Sequence, residues 1–156
     1  MFRLGLVLAI VLAALDQLSK WLILTEVMTP PRVIELTGFF NLVLVGNRGI
    51  SFGLFSNNWI WGQPLMAGLA FTISVVLLFW LKKADNRLLA SGLGLVIGGA
   101  IGNGIDRLAH GAVIDFLDFH VMGYHWPAFN VADAGIVVGV GLILLEGLFA
   151  GPGKTR

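Results

Sequence analysis

Apolar residues run along this chain in four blocks, each interrupted only by isolated polar positions. A helix rises about 1.5 Å per residue, so roughly 20 apolar residues traverse a hydrocarbon core of about 30 Å. The blocks run from about Leu4 to Leu24, Trp61 to Leu81, Leu88 to Ile105 and Ala134 to Ala150, and the pattern predicts four membrane-spanning helices. Arg3 ahead of the first block imitates a secretory signal. The apolar character resumes at Trp21-Leu22-Ile23-Leu24, however, and no small-x-small cleavage site follows, so the block is expected to remain as a helix. Between the blocks, Arg32 to Val45 and Val113 to Phe119 are rich in β-branched and aromatic residues with glycine breaks. These predict short strands. They are too short to build a core of their own, so residues 1–156 are expected to form one membrane domain. The fold class is an α-helical membrane protein with four transmembrane helices and a small β-platform on its outer face.

Basic residues orient the spans. Arg3, the turn Lys82-Lys83-Arg87, and Lys154 with Arg156 fall on one side, while Arg32, Arg48 and Arg107 fall in the longer loops on the other. The first side is expected to be cytoplasmic, with both termini inside. Trp59, Trp61 and Trp80 then lie near span ends, where indoles favour the interface.

Composition agrees with this pattern. Of 156 residues, 57% are hydrophobic and 12% charged, about half the charge that a soluble domain needs to cover its surface. A net charge of +1, with no basic run beyond Lys82-Lys83, leaves no reason to expect a nucleic-acid partner. The absence of cysteine excludes disulfides, thiolate metal sites and a Cys nucleophile.

An ionised side chain at the bilayer centre costs at least about 2.5–3.5 kcal/mol, so the few charges are informative. Asp16 and Lys20 lie in the outer half of the first span. Asn103 and Asp106 close the third, Asn130 and Asp133 open the fourth, and Asp115 and Asp118 occupy the loop between these two. Three spans and one loop thus bring polar groups to one depth. Asp16 and Lys20, four apart on one helix face, form either a self-neutralising pair or support for a nearby site. Asp115 and Asp133 are the candidates for chemistry. Two adjacent carboxylates share a proton, so one takes a proton from water while the other donates to a carbonyl. That chemistry needs no cofactor. The alternatives are Asp133 as a helix N-cap and Asp115 or Asp118 as a solvated strand residue.

Glycine is abundant, at 21 residues, and Gly94/Gly98/Gly102 and Gly135/Gly139 recur every fourth position. This spacing predicts close packing of the third helix on the fourth. Other motifs compete for attention. Gly49-Ile50-Ser51-Phe52-Gly53 matches a serine-hydrolase elbow, with His110, His120 and His125 as conceivable partners. The same histidines with Asp115 or Asp118 are a conceivable zinc set, although no H-E-x-x-H is present. Pro152-Gly153-Lys154-Thr155 imitates a phosphate loop, but Leu148 stands where its first glycine belongs.

Five stretches, read together, resemble the bacterial lipoprotein signal peptidase family (signal peptidase II). Asp16-Gln17-Leu18-Ser19-Lys20 is similar to its D-x-x-x-K motif. Asn47-Arg48-Gly49 with Ser51-Phe52-Gly53 is similar to N-x-G-x-x-F-G, which absorbs the serine elbow. Gly102 to Arg107 resembles G-N-x-x-D-R, Val113 to Phe116 resembles V-x-D-F, and Phe129 to Asp133 resembles F-N-x-A-D. The resemblance implies an intramembrane aspartic endopeptidase of the bacterial inner membrane. Such an enzyme removes signal peptides from prolipoproteins, cutting before a diacylglyceryl-modified cysteine. It implies Asp115 and Asp133 as the catalytic pair, with Asp118 outside it. Asn47, Asn103, Asp106, Arg107 and Asn130 are implied around the site, and Asp16 with Lys20 as a supporting pair. Arg48 is a further candidate for lipid phosphate or substrate. Globomycin-type cyclic peptides are the implied inhibitors. The competing class is a small transporter or channel lined by Asp16, Lys20 and Asp106.

Overall fold

The computed structural model describes residues 1–49 and 60–149. Trp59, Ser51 to Gly53, Ala150 and the terminal Pro152 to Arg156, all named above, lie outside the described residues. Among the described residues, four helices are long and apolar enough to cross a membrane. Helix α1, Phe2–Leu22, continues through a π-helical turn at Ile23–Val27. It is followed by α2, Gly62–Lys83, α3, Arg87–His110, and α4, Val131–Phe149. Strands β1 (Ile34–Thr37), β2 (Phe40–Asn47), β3 (Val113–Val121) and β4 (Tyr124–His125) form one antiparallel sheet in sequential order.

Among the departures from the hydropathy boundaries, two lie where the polar residues gather. Hydropathy stops α3 at Ile105, yet the helix runs on to His110, because Asp106 pairs with Lys20 of α1 and Arg107 bonds the Asn103 carbonyl one turn back. Gly111, at φ 67°, ends it in the left-handed conformation, its N–H bonded to the Arg107 carbonyl. Asn86 caps its start, accepting the Leu89 N–H at 2.9 Å. Helix α4 begins at Val131, three residues before the apolar run, because Asn130 caps it. The Asn130 Oδ1 accepts the Asp133 N–H at 2.9 Å, and Asp133 Oδ2 accepts the Asn130 N–H at 3.3 Å. This reciprocal arrangement is a capping box. Asp133 therefore sits in the first turn, and the N-cap role proposed for it belongs to Asn130.

Helix α3 is the central element, and its glycines divide between two neighbours. A side chain at Gly94 would strike the Gly5 backbone, and one at Gly98 would lie 2.5 Å from the Ala9 carbonyl, both on α1. Gly92 and Gly99 instead face α4, with the Gly139 and Ala132 carbonyls 2.7 and 2.5 Å from the added carbon. The expected close packing of α3 on α4 is thus made by Gly92 and Gly99, with Gly139 opposite, while the Gly94/Gly98/Gly102 row packs on α1. Successive fourth-residue positions drift little around a helix, so one row serves one neighbour and a second row serves the other. Gly135 of α4 likewise abuts Leu12 of α1. The sheet rests on the end of α1, where Phe116 packs with Ile23 and Met28.

Gly98→Val should force α1 and α3 apart, costing on the order of 1–3 kcal/mol or more. Gly141→Ala, which has open space at that position, should leave thermal stability in detergent at or above that of the wild type. Equal stability of the two variants would contradict the packing role.

Candidate active site

The lower tier of the site surrounds Lys20. Its ammonium lies 2.7 Å from Asp16 Oδ2, 2.7 Å from Asp106 Oδ2 and 3.2 Å from Asn103 Oδ1. All three partners and Lys20 itself are buried. The Asp16–Lys20 pair is therefore not merely self-neutralising, since one ammonium holds α1 to α3 through Asp106. Asp16 also accepts the Ala132 N–H at 2.9 Å, placing a negative charge at the positive end of the α4 dipole. Asp106 accepts the Ile114 N–H at 3.1 Å and so ties down the start of β3. Close packing was expected to bring Asp106 toward Asn130 and Asp133. Instead, Asp106 turns to α1 and β3, and Asn103 alone of that pair reaches α4.

The upper tier holds the two candidate carboxylates. Asp115 Oδ1 accepts Asn130 Nδ2 at 2.7 Å, and its Oδ2 accepts Asn47 Nδ2 at 2.9 Å. Asp133 Oδ1 accepts Asn103 Nδ2 at 2.7 Å. Asn130 Nδ2 lies 3.2 Å from Asn103 Oδ1, so Asp115 and Asp133 are joined through two side-chain amides.

The direction of each amide follows from what its oxygen must accept. Lys20 can only donate, so Asn103 turns Oδ1 to it and Nδ2 to Asp133. Asn130 Oδ1 is committed to the Asp133 backbone N–H, which leaves its Nδ2 for Asp115. Asn47 Oδ1 accepts the Gly49 N–H at 2.9 Å, across a turn in which Gly49 adopts φ 70°, and its Nδ2 faces Asp115. Backbone and ammonium donors thus aim three NH₂ groups at two carboxylates.

Burial pushes the Asp115 carboxyl above the ordinary carboxylate range. The Asn47 hydrogen bond opposes this, the negative charge of Asp133 adds to it, and the Asn130 bond opposes it again.

Arg107 donates to the Asn103 carbonyl at 3.2 Å, and its charge acts on Asp133, Asp106 and Asp115. Arg48 joins through its backbone, its carbonyl accepting Gln63 Nε2 at 2.6 Å, while its side chain is exposed. Asp118 and Asp115 are both buried, which removes the reading of either as a solvated strand residue. Asp118 meets His125 Nδ1 at 2.9 Å and Asn41 Nδ2 at 3.0 Å, a separate cluster in which His120 stacks on His125. Among the described residues, no three His, Asp or Glu side chains gather in a metal-binding arrangement.

Gln17 was not anticipated. Its Nε2 donates to Asp106 Oδ1 at 2.9 Å and to the Gly102 carbonyl at 3.2 Å. An amide inside an apolar span, one turn before Lys20, was the available signal. The contribution of the Ala132 and Ile114 backbones carries no side-chain signature at all.

Four apolar helices closing on two amide-bound carboxylates, Asp115 buried and Asp133 partly buried, define the class of aspartic-type membrane enzymes. The comparisons narrow this class. The family profile described as signal peptidase (SPase) II matches residues 8–149, and the chain belongs to that family. It is 45% identical to the lipoprotein signal peptidase of Rhodopseudomonas palustris (strain TIE-1), over 96% of this chain and 94% of the relative. It is 49% identical to that of Azoarcus sp. (strain BH72), over 97% and 86%. A solved bacterial membrane enzyme, determined by the in meso method at 2.3 Å, superposes with a TM-score of 0.80 at 28% identity, covering 97% of this chain and 92% of that one.

Replacing Lys20 with Met should strand two buried carboxylates and cost about 3–5 kcal/mol, while Glu26→Gln, at an exposed position, should change stability by less than about 0.5 kcal/mol. Thermal unfolding in detergent distinguishes the two. An unaffected Lys20→Met variant would show that the network is dispensable.

Proposed function

We propose that this chain removes the signal peptide from diacylglyceryl-modified prolipoproteins by cutting before the lipidated cysteine, with Asp115 and Asp133 as the catalytic pair. The observation that supports this reading is the aiming of three amide NH₂ groups at two carboxylates, the buried Asp115 and the partly buried Asp133. One carboxylate takes a proton from water, whose oxygen attacks the scissile carbonyl carbon. The other carboxyl gives its proton to the carbonyl oxygen. The resulting diol collapses as the leaving amine is protonated and the C–N bond breaks. The products are a signal peptide ending in a new carboxylate and a lipoprotein with a free amino group on its lipidated cysteine. The two roles are assigned to the dyad and not to either carboxylate alone.

Asn47, Asn103 and Asn130 position the pair in this scheme. Asp16, Lys20 and Asp106 hold the helices that carry it, and Arg107 offsets its negative charge. The exposed Arg48 side chain is suited to a lipid phosphate or the substrate strand. The basic Lys82-Lys83-Arg87 turn marks the cytoplasmic side of the bacterial inner membrane. Both termini then lie inside, residues 1–156 act as one domain, and the dyad faces the outer leaflet. Membrane phospholipid surrounds the spans, and globomycin-type cyclic peptides compete for the site.

In a gel-shift assay with purified diacylated prolipoprotein, Asp115→Asn and Asp133→Asn should each lower cleavage by at least about a hundredfold, with expression and globomycin binding retained. Near-normal processing by either variant refutes the dyad.

The pH profile tests the electrostatics separately. The active form holds one shared proton, and the raised Asp115 carboxyl keeps it above the ordinary carboxylate range, so the rate falls on the alkaline side. The Asn47 bond favours the ionised form. Asn47→Leu should therefore move the alkaline limb of kcat/KM to higher pH, besides lowering its height. A limb displaced to lower pH would contradict the assignment.

A further inference from the structure

The cluster of Asn41, Asp118 and His125 lines a cavity of about 450 Å³ that the dyad does not use, a volume within the range of ligand-binding clefts. Val43, Val45, Trp126 and Pro127 form its apolar wall. Two donors meet on the Asp118 carboxylate. His125 Nδ1 lies 2.9 Å from both oxygens, and Asn41 Nδ2 lies 3.0 Å from Oδ2. Acceptor capacity is left over. A carboxylate has about four acceptor sites, and Asn41, only 5% exposed, has no hydrogen-bond partner for its Oδ1. Burial raises the Asp118 carboxyl, but the bonds from His125 and Asn41 outweigh it and hold the group below the ordinary carboxylate range. Glu35, the ladder partner of Asn41, brings a further negative charge to this end of the sheet. Arg32, next to Val33 in the lining, turns its guanidinium to the Val27 carbonyl.

We propose that this cavity is a subsite for the mature segment of the prolipoprotein, taking a lysine or arginine side chain about three to five residues after the lipidated cysteine. The inference rests on the cleavage reading above. The signal peptide is the part that crosses the bilayer, so the residues after the cysteine leave the dyad on the side of the sheet. The cavity lies on their way. Val45, the ladder partner of Asp115, belongs to its lining, and Asp118 stands three residues beyond Asp115 on β3, about 10 Å along an extended strand. The lining selects the occupant. A long aliphatic stem suits the valines, and a head group that only donates suits Asp118 and the Asn41 Oδ1. Trp126, itself 70% exposed, adds a cation–π partner. An acidic side chain would be repelled by Asp118, and an aliphatic one would leave both acceptors unanswered.

The test compares kcat/KM, in a neutral detergent, for matched diacylated prolipoproteins carrying Lys, Gln, Met or Glu at the third, fourth or fifth position after the cysteine. At one of these positions the wild type should cleave the Lys substrate about tenfold faster than the Gln substrate, with Met no better than Gln and Glu slowest. In Asp118→Asn the Lys-to-Gln ratio should fall to about one. Trp126→Ala, at an exposed position, should lower the ratio about two- to fivefold, and it carries the test alone if Asp118→Asn does not fold. A Met substrate that matches the Lys substrate overturns the proposal while cleavage itself stands. So does a Lys-to-Gln ratio that neither variant lowers. Absence of cleavage of every substrate by the wild type would instead refute the cleavage reading, and the subsite with it.

Discussion

A single ammonium group, that of Lys20, constrains the arrangement of the whole site. A charge in an apolar bundle persists only where partners compensate its lost hydration, and Lys20 has three: Asp16 from its own helix, and Asp106 and Asn103 from α3. The ammonium has no acceptor capacity. Asn103 must therefore offer its oxygen inward and its nitrogen outward, and the outward nitrogen meets Asp133. Polarity passes in this way from a structural ion cluster to the candidate catalytic groups without any freely rotating side chain between them. A Gln17 amide closes the cluster on the side of Asp106.

Such contacts require helix axes closer than ordinary side chains permit. The glycines of α3 meet this requirement on two flanks, with backbone of α1 against one row and backbone of α4 against the other. The start of α4 is then fixed from two directions. Asn130 caps it locally, and Asp16 reaches the Ala132 N–H from α1. Since Asp133 stands in the same first turn, capping the helix and placing the carboxylate are one event. The β3 end is handled similarly, with Asp106 holding the Ile114 N–H beside Asp115.

The setting suits hydrolysis of a lipid-bearing peptide. Burial raises the Asp115 carboxyl, while the amides of Asn47, Asn103 and Asn130 hold both carboxylates in place. Asp16, Lys20 and Asp106 close on one another instead of lining a path across the bundle, which argues against a conduction pathway through them. The lipid-facing exterior gives acyl chains an apolar environment beside the dyad.

The spans, the strands and the polar residues were legible in the chain because each rests on local physics: the length of an apolar run, the period of alternation, and the cost of charge in lipid. The five stretches also identified Asp115, Asp133 and their neighbours through family resemblance. The limits of α3 and α4 were not legible, because Asp106 and Asn130 look like loop residues until distant partners satisfy them. Which glycine row meets which helix depends on rotation of the helices about their axes, a property that spacing leaves open. The partnership of Asp106 with Lys20, the role of Gln17 and the service of bare backbone at Ala132 and Ile114 arise only when remote segments meet. Sequence determined which groups lipid would force together; tertiary structure decided which hydrogen bond each would make, because donors and acceptors are matched in space and not along the chain.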